Sequence, residues 1–480
     1  MKRILTFLLL AGGSAAAQTP TTQSLQDVIE LALNRSAVAK QTQTTRDQSY
    51  WQWRTYQANY RPQLGLQGTL PGFSRAVAPV VQPDGTTDFR AVRINNSNLA
   101  MTVSQNIGLT GGQVFVASEV QRFDDFNGRL KRYNNQPISI GLLQPIGKFN
   151  NLRWANRIEP LRYQESQRLY IEEREGIAQR ITELYFDVLQ QQVNAEVASQ
   201  NVRANEELLR IGKERYQLGY LSQSDLLRLE LNLLNARQAV AQGQLDAQNA
   251  AVSLQSYTGL RAETLQLAVP AAAPRLVVPA ALALTQARQN RSVVLTFRRR
   301  LLQAEREVAL ARGTTGLQAT LSANLGYVNQ ASNLWDTYAT LQSQQQVQLT
   351  FALPLVDWGR QKSIIKTAEL THRQVQTDVA QEELSFEQSV QVQAAQLGTL
   401  SEQLALTARA DSLAQQRYNI AQATYKVGRI SLTDLTIASA EKDQARRTYI
   451  LALRAAWVAH YRLRALTLYD FERQMPLAAQ

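Results

Sequence analysis

The sequence contains no cysteine. Disulfides, thiolate metal sites and a cysteine nucleophile are therefore excluded. Histidine is nearly as scarce, so only His372 and His460 could supply imidazole chemistry. His372 lies in a polar stretch with no second histidine within four residues and reads as a surface residue. His460 lies beside Trp457, Val458 and Tyr461 and reads as packing. No Gly-x-Ser-x-Gly, His-Glu-x-x-His or P-loop pattern occurs. The nucleophile elbow, paired metal ligands and phosphate cradle of the corresponding enzymes are thus missing. The expectation is a protein that catalyses nothing and carries no metal or other cofactor. Long apolar runs are missing too. Beyond the first residues no stretch approaches the about 20 apolar residues of a membrane helix. Such a chain can still enter a membrane as a closed β-barrel, which satisfies its backbone without helices.

What is present begins with a targeting segment. Lys2 and Arg3 precede an apolar run at residues 4–11, and Ala15-Ala16-Ala17 supplies small residues for cleavage. Residues 1–17 read as a signal peptide, with the mature chain starting at Gln18. No cysteine follows, so a lipoprotein anchor is excluded. The net charge of +12 becomes +10 when Lys2 and Arg3 leave (12 − 2). A basic balance can mark nucleic-acid binding. Here the chain reads as secreted and its arginines are dispersed, so no nucleic acid is expected. The charge reads as solvated helix faces or as a lumen that attracts anions. The triplet Arg298-Arg299-Arg300 reads as one such solvated face, with a lumen or lipid-headgroup contact as the alternative.

The chain is internally duplicated. Tyr216-Gln217-Leu218-Gly219 returns as Tyr425-Lys426-Val427-Gly428, and Asp225-Leu226 as Asp434-Leu435, at an offset of 209 (425 − 216). Pro145 maps to Pro354 at the same offset. Asn34-Arg35-Ser36 returns as Asn290-Arg291-Ser292, an offset of 256 (290 − 34). The first copy therefore holds about 47 additional residues (256 − 209) between Pro62 and Pro145. The expected layout is a first repeat at 18–269, a Pro/Ala linker at 270–279, a second repeat at 280–470 and a tail at 471–480. Each repeat reads as a helix, then strands (62–146 and 317–355), then a helical hairpin (151–258 and 359–466). The strand segments alternate weakly, as expected where one face meets lipid and the other water.

The hairpin helices carry a heptad seam. Leu226, Leu229, Leu233, Ala236, Val240, Gly243, Ala247, Ala250 and Leu254 are spaced alternately by three and four residues. The second copy repeats the seam from Leu435 to Leu463 and breaks it only at Lys442. Between the helices of each hairpin, Gly219 and Gly428 suit a left-handed C′ position. Ser222 and Ser431 suit N-caps, and Asp225 and Asp434 complete Ser-x-x-Asp capping boxes. These residues turn the chain. Tyr220, Leu221, Arg429 and Ile430 are expected to be exposed at the tips and to meet a partner.

On these features the chain resembles the TolC-like outer-membrane efflux proteins. The residues that carry the resemblance are Ser24-Leu25 with Ala32-Leu33-Asn34, Arg61-Pro62-Gln63-Leu64, the run Pro354-Leu355-Val356-Asp357-Trp358-Gly359-Arg360, and both hairpin tracts. The resemblance implies a mainly α fold with a membrane β-barrel: a long helical barrel plus transmembrane strands, closed as a homotrimer in outer-membrane lipid and reaching into the periplasm. It implies an exit duct that passively conducts substrates handed on by an inner-membrane pump and a periplasmic adaptor. The adaptor would dock at Gly219, Tyr220, Leu221 and Ser222 and at Gly428, Arg429, Ile430 and Ser431. The sequence departs from the family in its extra β-like stretch. Six strands per protomer, or four with the excess in extended loops or a hairpin outside the barrel, are both open, and the second is favoured. Asn419 and Gln422 stand where acidic gate residues are usual, with Asp411 further back. The alternative to the whole reading is a soluble periplasmic coiled-coil scaffold.

Overall fold

The computed structural model describes residues 23–259, 266–271 and 277–477. The expected signal peptide and the middle of the linker lie outside them. The helix expected to open the first repeat is two helices, α1 (Leu25–Arg35) and α2 (Ala37–Ala58), broken at Ser36. Its counterpart is broken likewise, into α5 (Ala280–Asn290) and α6 (Ser292–Thr315), at Arg291. The duplicated Asn-Arg-Ser tract therefore marks a break, with Ser36 and Arg291 in extended conformation. The Ser36 hydroxyl accepts the Ala39 N–H (3.1 Å), as an N-cap restarting the helix does.

The hairpins are α3 (Asn151–Gln217) with α4 (Gln223–Thr258), and α7 (Arg360–Lys426) with α8 (Leu432–Thr467). The seam of α4 faces inward throughout: Leu229, Leu233, Ala236, Gly243 and Leu254 are buried, and the other positions are half-buried. A Cβ at Gly243 would lie 3.1 Å from the Ala195 Cα, so the heptad glycine is where α4 approaches α3 closely. The described residues fall into two compact units, and neither coincides with a repeat.

The helical unit comprises the described residues up to Thr45, Leu169–Arg291 and Glu387–Gln480. Its main core joins Val28 of α1, Ile181, Tyr185, Phe186 and Leu189 of α3, Leu254 of α4, and Ile450 and Leu453 of α8. Each such side chain contributes about 1.5–3 kcal/mol by leaving water. The Tyr185 hydroxyl donates to the Ala268 carbonyl (2.6 Å), tying the segment just before the linker to α3. His460 is buried against Trp457 and Tyr461, and burial pulls its imidazole down to about 4. Beside it Arg464 pairs with Glu175 (3.0 Å) and Asp470 (2.8 Å). That network anchors a C-terminal hairpin of β8 (Tyr469–Asp470) and β9 (Met475–Pro476), where the sequence reads only as a tail.

The sheet unit comprises Arg46–Arg168 and Ser292–Phe386. Seven strands form one antiparallel sheet: β1 (Gln63–Thr69), β2 (Phe73–Val81), β3 (Thr87–Ile107), β4 (Gly112–Asp125), β5 (Leu130–Ile146), β6 (Gln318–Ala331) and β7 (Gln342–Ala352). β1 and β2 pair with successive stretches of β3 and share one edge, interrupted at Pro71 and Gly72. The sheet thus has six strand positions. The extra sequence of the first repeat joins it in continuous register, which corrects the preference for a separate hairpin. The residues around Gln82-Pro83-Asp84-Gly85 are the turn of a two-stranded ribbon, β2–β3, that runs on past the level of β4. The arginine triplet is also less free than expected: Arg299 Nη2 donates to Glu165 (3.0 Å) and Arg300 to Glu382 (2.5 Å). Both are cross-helix ion pairs, while Arg298 is exposed.

Candidate functional site

Two surfaces stand out, one in each unit. In the helical unit, both hairpin turns close by the same hydrogen bonds. Tyr220 N–H donates to the Arg215 carbonyl (2.8 Å) and Gly219 N–H to Tyr216 (3.0 Å). Arg429 N–H donates to Thr424 (3.1 Å) and Gly428 N–H to Tyr425 (2.9 Å). This 6→1, 5→2 pattern needs a left-handed residue at C′. Gly219 (φ +78°) and Gly428 (φ +79°) supply it without a Cβ penalty. Ser431 and Asp434 form the full reciprocal capping box. At the first tip only half of the box exists: Ser222 Oγ accepts the Asp225 N–H (3.1 Å), while the Asp225 carboxylate takes the Ser222 hydroxyl (2.7 Å).

The tips also have a core, which the sequence reading did not anticipate. Leu229, Tyr425, Leu432 and Leu435 are buried together, and Leu221 and Ile430 pack against them. Leu221 and Ile430 are therefore half-buried supports and not the exposed contacts expected of them. Exposure falls instead on Tyr220 (81 %), Leu218, Val427 and Arg429. Arg215 links the hairpins: its Nη2 donates to the Tyr425 (3.2 Å) and Lys426 (3.1 Å) carbonyls, and its guanidinium lies over the Tyr425 ring. A cation on the last carbonyls of α7 is the favourable sign for a helix C-terminus. The duplicated tyrosines have diverged, since Tyr425 is 2 % exposed and Tyr216 42 %. The two copies read alike in sequence, so only a pairing between repeats could have separated them.

Behind the tips, Lys442 breaks the seam and is nonetheless buried. Its ammonium sits 3.1 Å from Asp443 Oδ1 and 4.4 Å from the Tyr418 ring centroid. Asn201 Nδ2 donates to Asp443 Oδ2 (2.6 Å). A cavity of ≈ 310 Å³ of mixed lining lies alongside, with Asn201, Asn205, Asn232, Asn235 and Asp443 on its wall. Asp411 is held by Arg446 (3.1 Å), and Asn419 accepts from Gln415 (2.9 Å).

In the sheet unit the register sorts the residues by face, because directly paired residues share a side. One face carries Leu64–Val103–Val116–Ile140–Leu325 across successive strands, flanked by Leu66–Met101 and by Val114–Leu142–Ala323–Val347. The other carries Gln63–Ser104–Phe115–Gly141–Asn324–Gln346 and Gly65–Thr102–Ala117–Ser139–Gly326–Gln344. Phe115 lies over Gly141, where a Cβ would come within 2.1 Å of the ring, so the polar face seats this aromatic above a glycine. The apolar face is bare: Val347 is 73 % and Phe351 67 % exposed. From Ala319 to Asn329 along β6 is ten steps (329 − 319), roughly 33 Å of strand. Tilted by about 40° that gives an apolar band near 25 Å tall, the height of a membrane barrel's outer band. The edges at β1/β2 and at β7 each have one side without a strand partner among the described residues.

The chain thus combines a sheet with one polar and one apolar face with two long helical hairpins. The chain belongs to the outer membrane efflux protein family, whose model matches residues 108–260 and 283–467. It is similar to the CmeC outer membrane channel of Campylobacter jejuni (15% identity, TM-score 0.66, covering 95% of this chain and 87% of that one). It is also similar to the outer membrane protein VceC of Vibrio cholerae (15% identity, TM-score 0.64, 92% and 96%). The open-state MtrE outer membrane channel of Neisseria gonorrhoeae aligns at 15% identity and TM-score 0.60, covering 92% and 88%. No curated protein matches the chain in sequence.

Proposed function

We propose that the chain is the exit duct of a tripartite efflux or type I secretion system, conducting substrates passively across the outer membrane and catalysing nothing. The bare apolar face of the sheet, backed by a polar face and bounded by two open edges, carries this reading. Lipid removes the cost of exposing the apolar residues, and closure with further copies removes the open edges. Three copies of six positions give about 18 strands, in the range that leaves an aqueous channel. The polar face then lines water, and the hairpins extend into the periplasm with their tips toward a periplasmic adaptor and its inner-membrane pump. Tyr220, Leu218, Val427 and Arg429 are the side chains offered for that docking. Gly219, Ser222, Gly428 and Ser431 shape the turns, with Leu221 and Ile430 bracing them from beneath.

Purified protein should run as a heat-sensitive trimer from outer-membrane fractions and conduct ions in planar bilayers. Recovery as a monomer in the osmotic-shock supernatant would falsify the duct and favour a periplasmic scaffold.

A further inference from the structure

Beyond its apolar rows this face of the sheet carries Arg75, Arg93 and Lys131, none of them in an ion pair among the described residues. Along β3 the alternation Val103, Met101, Leu99, Ser97, Asn95, Arg93 stays on one face, since the pairing with β4 runs unbroken from Ile107 to Ile94. Arg93 is directly opposite Arg75 on β2. Like charges in that position, with Cβ atoms about 5 Å apart, destabilise a strand pair. Neither arginine forms an ion pair among the described residues, although Asp88 is on the same strand as Arg93 and Asp124 is opposite Asn95. Asp88 is taken by Arg90 (3.1 Å) and Asp124 by Arg122 (2.9 Å). Lys131 lies on the same face, opposite Asp124, with its ammonium 5.1 Å from the Tyr133 ring.

Aromatic residues mark the boundary. Phe73, one row nearer the apolar band than Arg75, meets Phe126 edge-on at 5.9 Å, and both are exposed. Tyr133 and Tyr327 lie on this face of β5 and β6, and the exposed Trp335 and Tyr338 belong to the β6–β7 connection. Apolar rows, then aromatics, then unpaired cations is the order of hydrocarbon, interface and phosphate at a bilayer surface.

We infer that Arg75, Arg93 and Lys131 bind the phosphate groups of lipids in the leaflet at the helix-distal end of the sheet. A phosphate oxygen between Arg75 and Arg93 turns their repulsion into two charge-assisted hydrogen bonds. This inference rests on the duct reading, which places the apolar face in lipid. Arg90 lies on the opposite face of the ribbon and is already paired, so it serves as an internal control.

The test uses the full mature protein in neutral detergent, titrated with phosphatidic acid or with diacylglycerol of the same chains, with retained lipid read by native mass spectrometry. Wild type should retain phosphatidic acid at least about tenfold better than diacylglycerol, the equivalent of one charged hydrogen bond. Arg75→Gln with Arg93→Gln should lose that preference, Arg75→Lys with Arg93→Lys should keep most of it, and Arg90→Gln should leave it intact. Inorganic phosphate at matched concentration should compete weakly, since it lacks the chains that seat the headgroup. Equal retention of both lipids, or an unchanged preference in the double Gln variant, overturns the inference. So does full displacement by inorganic phosphate. Flotation with liposomes separates the two levels: a wild type that fails to float sinks the duct reading, whereas one that floats without phosphate preference sinks only this site.

Discussion

Leu229→Ala tests the claim that the tips have their own core. Leu229 is fully buried between Tyr425, Leu432 and Leu435, with its Cδ1 against the backbone at Gly212. Truncating a fully buried leucine costs about 2–5 kcal/mol, because the cavity only partly collapses. The loss falls where few other apolar contacts exist, so it should appear as local opening. At 1.36 kcal/mol per decade, even the lower bound makes tip amides exchange about thirtyfold faster. Hydrogen exchange with mass spectrometry should show this in peptides covering 205–235 and 420–440. Strand β6 should serve as the unchanged reference. A change below about fivefold at the tips, or an equal change in β6, would refute the local core. Both hairpins must respond, since Leu229 belongs to the first and three of its neighbours to the second.

Three further outcomes follow. Tyr220→Asp with Val427→Asp should abolish export while leaving trimers in the membrane and tip exchange unchanged; normal export by this variant would remove the tips as docking surface. Leu349→Arg on the apolar face should cost about 2–4 kcal/mol near the bilayer midplane and reduce insertion, whereas Gln346→Arg on the polar face should insert normally, both scored by heat-modified mobility. His460 has a folded value depressed to about 4. Its contribution to stability is therefore present above the unfolded value near 6.5 and is lost as pH falls through about 4. Unfolding free energies of His460→Gln, read from denaturant melts, should vary less over that window than those of wild type, by an amount approaching about 3 kcal/mol.

How much the residues disclosed depended on how local each contact was. The α4 seam, the two glycine turns and the Ser431–Asp434 box follow from spacing alone, and all are present. Leu221, Ile430, Tyr425 and Arg215 were misjudged or missed because their partners sit some 200 residues away in the other copy. Duplicated sequence cannot say which copy of a residue faces in. The ribbon of β2 and β3 was hidden differently. Arg75 and Arg93 interrupt the alternation of its apolar face, and nothing local marks Pro83-Asp84-Gly85 as the turn that holds 73–95 together.

The divergence at the tips bears on stoichiometry. In the proposed threefold ring, six hairpin ends would alternate between a tyrosine and an arginine at the same position of the turn, Tyr220 and Arg429. A partner that reads only the shape of the bend finds six equivalent seats. One that reads the side chain finds three of each kind, so counting bound molecules per ring would report which of the two the partner recognises.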